Sequence, residues 1–334
     1  MLGLGKSLLR TVYTITDSRR VLAAINSRAQ SLLSTFSSRV EEDGGEVENP
    51  SCLRSSLKGL LTGSDSLLID RYASPAAAYS LRKLRRDYLG PAIRVRRDDN
   101  DEELDVFFDT SGNLDTASLE AFCAGTDGYV DTWYDQSSNG NDATQDGNDN
   151  QPKIYDSSTG VVTENGKPAV DFDGSDDYLD GANKTTIDNT AIFAVIKSDS
   201  NTQDCVFIQT TVTAGNQVTL GLGGVGSNNA IGSRLVVGGT VVSQVGDSTF
   251  TSTDQTLVSY LADNATGQMF IDGTQETDAV GSRNNFATTT IGARGDGVNN
   301  FLGKIQEVIF YDSDESSNRT GIETDINDYY SIYP

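Results

Sequence analysis

Gly128-Tyr129-Val130-Asp131-Thr132-Trp133-Tyr134-Asp135-Gln136-Ser137-Ser138-Asn139-Gly140-Asn141-Asp142-Ala143-Thr144-Gln145 is the stretch that decides the reading of this chain. Its first half gathers Tyr129, Val130, Trp133 and Tyr134. Aromatic and β-branched side chains of this kind fit a pleated, half-buried strand. Its second half turns around Asn139-Gly140-Asn141, residues that bond their own backbone and tolerate left-handed geometry. Trp133 is the only tryptophan of the chain.

Downstream, a second signature runs Gly166-Lys167-Pro168-Ala169-Val170-Asp171-Phe172-Asp173-Gly174-Ser175-Asp176-Asp177-Tyr178-Leu179. Many short strands follow. Residues 191–196 are a continuous apolar run, which predicts a central strand. Residues 205–208, 217–222, 234–237 and 240–245 each lie between Gly, Asn or Thr. Residues 255–262 pair with 267–272 in this reading, and Asp272-Gly273 signals a hairpin turn. Residues 289–292 and 301–311 supply the last strands. Ser316 or Ser317 caps a final helix with Ile322, Ile326 and Tyr329 on one side. Upstream, residues 76–88 read as a short helix, 92–96 and 104–108 as strands, and Asp115 as the cap of a helix through Cys123. The strands are not copies of one another, so no solenoid or propeller repeat is expected.

The first seventy residues are different. Residues 16–43 form the clearest helix, about 40 Å long at 1.5 Å per residue. Val21, Leu22, Ile25, Ala29, Leu32, Leu33, Phe36 and Val40 recur on one face. Asn49-Pro50 then opens a second helix that Gly63 closes. A helical pair of this size buries too little surface to stand alone. It is therefore expected to be an anchor or oligomerisation segment over residues 1–70, before a sandwich domain over 71–334. The anchor residues are Val21, Leu22, Ile25, Leu32, Leu33, Phe36 and Val40.

Composition narrows the function. The chain has a formal net charge of -23, which repels nucleic acid and anionic membranes. A basic cluster (Arg82, Lys83, Arg85, Arg86, Arg94, Arg96 and Arg97) abuts Asp98, Asp99, Asp101, Glu102 and Glu103, so internal ion pairing is expected. There is no histidine. That removes Ser-His-Asp and Cys-His catalysis and His-ligated zinc. Cys52, Cys123 and Cys205 are odd in number and far apart, so they make no disulfide framework or metal cluster. Residues 1–9 are broken by Gly3, Gly5, Lys6 and Ser7, and no signal peptide or membrane span is read.

The wording Ala77-Ala78-Tyr79-Ser80-Leu81-Arg82, Gly90-Pro91-Ala92-Ile93-Arg94-Val95-Arg96-Arg97 and Trp133-Tyr134-Asp135-Gln136-Ser137 resembles the catalytic domain of α-L-arabinofuranosidase B. The wording Phe36-Ser37-Ser38-Arg39-Val40-Glu41-Glu42-Asp43-Gly44-Gly45 followed by Ser51-Cys52-Leu53 is similar to the start of bacteriophage virion proteins that place such a sandwich behind a short helical segment. The resemblance implies a mainly β fold, a concanavalin A-like (laminin-G-like) β-sandwich or jelly roll, with an N-terminal helical segment. In the enzymes it implies a glutamate nucleophile in a strand near a Cys-Cys-Phe-Asp-Tyr-Gly motif. Nothing here matches that motif, and no glutamate lies between Glu164 and Glu276. Cys205-Val206-Phe207-Ile208 holds the nearest comparable place, with Asp204 beside it.

Two further sites are read. Trp133, Tyr134, Asp135, Gln136, Asn139, Asn141 and Asp142 combine aromatic faces with planar polar groups, as glycan sites do. The competing reading packs Trp133 and Tyr134 in the core and uses Asp135 and the asparagines to tie a turn. The loops 146–150 and 173–177 are rich in oxygen ligands, without the EF-hand spacing, so no cofactor is expected beyond calcium.

The resulting expectation is a structural virion surface protein, a capsid decoration or tail appendage such as a tail fiber. It would be made in the host cytoplasm and attached through its N-terminal helices to other virion proteins and to itself as an oligomer. Its sandwich would serve host attachment by carbohydrate binding, without catalysis, nucleic acid or a membrane span. The alternative is a glycoside hydrolase of arabinofuranosidase type.

Overall fold

The computed structural model describes residues 66–334, apart from 184–188, 200–204, 214–215, 223–230, 238–239, 247–253, 263–265, 277–278, 281–287 and 294–298. The chain divides into two units, Met1–Ser66 and Leu67–Pro334. The helices expected at 16–43 and 49–63, with all seven anchor residues, lie outside the described residues. Among the described residues no helix is long and apolar enough to cross a membrane.

The second unit is mainly β and antiparallel, as expected. Its central strand is Thr190–Ser198, buried at all but one position. It lies between Gln255–Ala262 and Leu302–Tyr311, and Thr266–Ile271 extends the sheet beyond Gln255–Ala262. The far side of Leu302–Tyr311 is shared by Ala77–Ser80 and Val170–Asp173. A second ladder begins with Glu103–Val106, Ile93–Arg97 and Gly128–Trp133. It continues through Ala143–Thr144 to Leu179–Asn183, Thr288–Ile291 and Cys205–Thr213. Asn216–Leu222, Ile231–Val237 and Thr240–Gly246 complete it. The two ladders join through the strand Lys153–Asp156, which pairs with Gly128–Trp133 and, at Lys153, with Asp171.

Alternation explains why the central strand reads as an unbroken apolar run. Side chains of a strand point to opposite faces in turn. Ile192, Ala194 and Ile196 enter the main core with Val258, Tyr260, Val95, Val130 and Trp133 from both ladders. Ala191, Phe193 and Val195 enter a second core, beneath the C-terminal helix Arg319–Tyr330. Both faces of the central strand are dry over residues 191–196, so both parities are apolar there. Each large apolar side chain so buried contributes about 1.5–3 kcal/mol. The helix supplies Ile322, Ile326 and Tyr330 at helical spacing. Its first cap is Asn318, not Ser316 or Ser317.

Leu302–Tyr311 carries a bulge. The register with Thr190–Ser198 jumps between Val195 opposite Glu307 and Ile196 opposite Ile305. The extra residue, Gln306, switches the parity. Ile305, Val308 and Phe310 can thereby share the main core, while Glu307 keeps the parity of Ile309 and Tyr311 under the helix. The hairpin at Asp272-Gly273 has φ values of 51 and 74°, the paired positive angles of a tight two-residue turn.

One expected element is corrected. Residues 76–88 are not a helix. Ala77–Ser80 is a strand against Leu302–Tyr311, and Arg82 makes an isolated bridge to Asn113. All four strand residues are buried. Alanine favours a helix locally, but pairing and two-sided burial override a preference of a few tenths of a kcal/mol per residue.

Candidate functional site

The segment after Gly128–Trp133 is a polar clasp on residues 75–84. Asp135 is 4% exposed. Its Oδ1 accepts the N–H of Ala78 at 2.9 Å and of Ser137 at 2.8 Å. Its Oδ2 accepts Ser137 Oγ–H at 2.6 Å and the N–H of Asn141 at 3.0 Å. Asp142 Oδ1 accepts the N–H of Asp135 at 2.8 Å. Burial first, then the nearby Asp135 charge, raises the Asp142 carboxyl above its ordinary value. Gln136 is fully buried; its Nε2 donates to Ser80 O and Arg82 O, and its Oε1 accepts Leu84 N–H. Asn139 Nδ2 donates to Pro75 O and Ala76 O, and Asn141 Nδ2 to Ala76 O.

The seven residues read as ligand-binding therefore fall into two groups. Trp133, Asp135 and Gln136 are buried. Trp133 packs on Tyr79 with ring centroids 6.2 Å apart. Tyr134, Asn141 and Asp142 are half-buried and Asn139 is exposed. Tyr134 spends its hydroxyl on Asp105. Asn139 borders a surface cavity.

The clasp holds Ala77–Ser80 and Arg82 against a buried ion pair. Arg82 Nε and Nη2 donate to Glu307 Oε2 and Oε1 at 2.8 and 2.9 Å. Ser80 Oγ donates to the same carboxylate at 2.7 Å. Arg82 Nη1 reaches Asp325 Oδ1 at 2.9 Å, and its guanidinium lies 4.8 Å from the Tyr329 ring centroid. Burial pulls the Arg82 pKa down, but Glu307 more than offsets it and leaves the group raised. Most of the basic cluster is also paired within the chain: Arg85 with Asp87, Arg86 with Asp70, Arg94 with Asp105, Arg96 with Asp101 and Arg97 with Asp99.

Loops 146–150 and 173–177, separate in sequence, meet in space. Asn150 Nδ2 donates to Asp176 O at 2.9 Å, and Tyr178 N–H donates to Asn150 O at 3.1 Å. Asp173, Asp176 and Asp177 each bring one carboxylate oxygen within 4.8 Å of the others. Asp177 is 6% exposed, and its Oδ2 accepts the N–H of Asp173 at 2.9 Å. Burial first, then the charges of Asp173 and Asp176, pushes it up to about 7. A hard cation takes carboxylate oxygens of this kind, so these three are the residues that would hold calcium. Cys123 is buried, and burial pushes its thiol up to about 11; it is not a nucleophile at neutral pH.

The family described as "Alpha-L-arabinofuranosidase B, catalytic" matches residues 70–207. That span contains the clasp, the Arg82 segment and both acidic loops. No curated protein matches. Among solved structures, an arabinofuranosidase complexed with arabinofuranosyl-α-1,2-xylobiose is 18% identical with a TM-score of 0.60. A GH54 α-L-arabinofuranosidase soaked with a cyclic sulfate inhibitor is 20% identical, also with a TM-score of 0.60. Each match covers 75% of this chain and 62% of the other, so the chain spans less than two thirds of either structure. The described body is a mainly antiparallel β-sandwich, and its fold is similar to that of these arabinofuranosidases.

These matches correct the expected role. The family matched is a catalytic domain and the neighbours are glycoside hydrolases. Nothing among them points to a bacteriophage, a virion, a capsid decoration or a tail fiber. The expectations of a structural virion surface protein, of a non-enzyme and of a virion-surface location are overturned. Their error has a simple source. The virion reading rests on the wording of residues 36–45 and 51–53, which lie outside the described residues, and a shared sandwich fold does not by itself fix a role.

Proposed function

We propose that the sandwich is a glycoside hydrolase of arabinofuranosidase type, acting on α-L-arabinofuranosyl groups of a larger glycan. The observation that supports this most is the catalytic-domain match over residues 70–207. Without histidine, proton transfer at neutral pH falls to carboxyl groups. Glycoside hydrolysis of the usual kind needs two of them, about 5–5.5 Å apart for retention or roughly 6.5–9.5 Å for inversion.

Among the described residues, Asp173, Asp176 and Asp177 form one tight group of acids, while Asp135 with Asp142, and Glu307 with Asp325, are neighbours already committed to backbone N–H groups or to Arg82. Asp177 has the protonation of a general acid, yet it is buried and bonded to the backbone of its own loop. Its geometry suits fixing that loop better than reaching a glycosidic oxygen. The reacting carboxyls are therefore sought among the acids from Asp188 to Asp296, Asp204 included.

The test is release of 4-nitrophenol from 4-nitrophenyl α-L-arabinofuranoside and of arabinose from arabinoxylan by the full chain. An Asp→Asn and Glu→Gln scan from Asp188 to Asp296 follows. The expected result is turnover abolished at two positions, by about 100-fold or more at each. A folded chain that releases neither product overturns the reading.

A further inference from the structure

A cavity of about 430 Å³ opens between the clasp and the chain entering Ala77–Ser80. Small-molecule sites span roughly 300–1,000 Å³, so this one has the volume of a small ligand site. Its polar lining comes from Ser74, Arg85, Ser137, Asn139 and Asp312, and its apolar lining includes Ile69 and Pro75. The catalytic-type comparison assigns nothing here.

The walls are held in place without a ligand. Ser137 is fixed by two bonds to Asp135. Asn139 is tied to Pro75 O and Ala76 O. Ala76 N–H donates to Phe310 O at 2.6 Å. Arg85 Nη1 donates to Ser137 O at 3.0 Å. Ser74, in the lining, and Ser138, between the lining residues Ser137 and Asn139, have φ values of 67 and 81°. Such left-handed angles are uncommon for serine and persist where surrounding structure imposes them. A cavity built this way loses little entropy on binding.

Its chemistry selects the ligand. Arg85 faces Asp87, with Nε 2.5 Å from Asp87 Oδ1, and Asp312 also borders the space, so an anion gains little. The polar lining disfavours a purely apolar ligand, since covering those groups without bonds costs free energy. A neutral polyhydroxyl compound uses the guanidinium and amide donors, the carboxylate acceptor and the apolar wall together. We propose that this cavity is a saccharide-binding subsite for a mono- or disaccharide, with Arg85, Asn139 and Asp312 bonding hydroxyls. It does not depend on the hydrolase reading.

The test titrates the full chain with L-arabinose, arabinotriose and xylobiose by calorimetry and NMR. Wild type, Ala73→Trp and Asp312→Ala are compared. Ala73 and Asp312 are both exposed at the rim, so the two variants block the space and remove an acceptor with the core untouched. The expected result is binding by wild type, weakened about 10-fold or more in each variant, a difference of roughly 1.4 kcal/mol. Equal affinity in wild type and both variants overturns the proposal. So does the lack of binding by all three sugars into the millimolar range. Should Ala73→Trp fail to fold, Asp312→Ala decides alone. Binding is read directly, so a chain without turnover still tests the subsite.

Discussion

Arg82 and Glu307 meet through two parallel hydrogen bonds of 2.8 and 2.9 Å, although 225 residues separate them. Glu307 is fully buried and Arg82 is 8% exposed. The pair joins the edge strand Ala77–Ser80 region to the bulged strand Leu302–Tyr311, beneath the C-terminal helix.

Breaking that pair from one side leaves a buried charge without its counterion. Glu307→Gln is expected to destabilise by about 3 kcal/mol, at the low end for such pairs because Asp325 still accepts from Arg82. The double variant Arg82→Met/Glu307→Leu is expected to recover much of the loss, since neither charge of the pair then stays buried and Asp325 keeps Arg71 as its partner. Urea midpoints of Glu307→Gln, of the singles Arg82→Met and Glu307→Leu, and of the double variant check this. A double variant as unstable as the sum of the singles contradicts it.

Asp135 should be the most sensitive residue of the clasp. It accepts four hydrogen bonds that close the turn onto Ala78. Asp135→Ala strands buried donors, each costing about 1–3 kcal/mol unless water replaces the acceptor. A loss of about 3 kcal/mol or more is expected by denaturant unfolding, with early hydrogen exchange at residues 76–80. A change below about 1 kcal/mol would show that the clasp is not what holds the edge strand.

Asp177 sets a pH dependence opposite to that of most carboxylates. Its folded pKa is raised to about 7, against about 3.9 for an ordinary aspartate. Between these values the folded state keeps a proton that the unfolded state has lost. Stability from this group therefore falls as pH rises from about 4 to 7 and is flat above. Asp177→Asn keeps an acceptor for the Asp173 N–H and carries no charge. It is expected to match wild type near pH 4 and to exceed it by up to about 4 kcal/mol at pH 8, at about 1.4 kcal/mol per unit. Melting temperatures of both proteins across that range check the sign. Parallel curves would contradict it.

The local words of the chain carried most of the architecture. Period-two and apolar runs placed the strand at Thr190–Ser198, the 255–262 hairpin partner and the last strand, because side-chain parity follows from backbone geometry alone. The turn at Asp272-Gly273 was legible for the same reason: left-handed angles select those residues. The absence of histidine likewise bounded the chemistry before any fold was known.

Other features were set only by long-range packing. The edge strand Ala77–Ser80 reads as a helix until its partner 227 residues away is in place. Glu307 looks like a surface charge until the bulge at Gln306 aims it beneath the helix. The two acidic loops meet through contacts between segments apart in sequence, and Asp177 is raised by the burial that the fold gives it, then by Asp173 and Asp176 of its own loop. The cavity beside Asn139 is formed by the approach of separate segments, so no single stretch encodes it. Local propensity amounts to tenths of a kcal/mol per residue, whereas burial and paired charges amount to several. Where the two conflict, the tertiary structure decides.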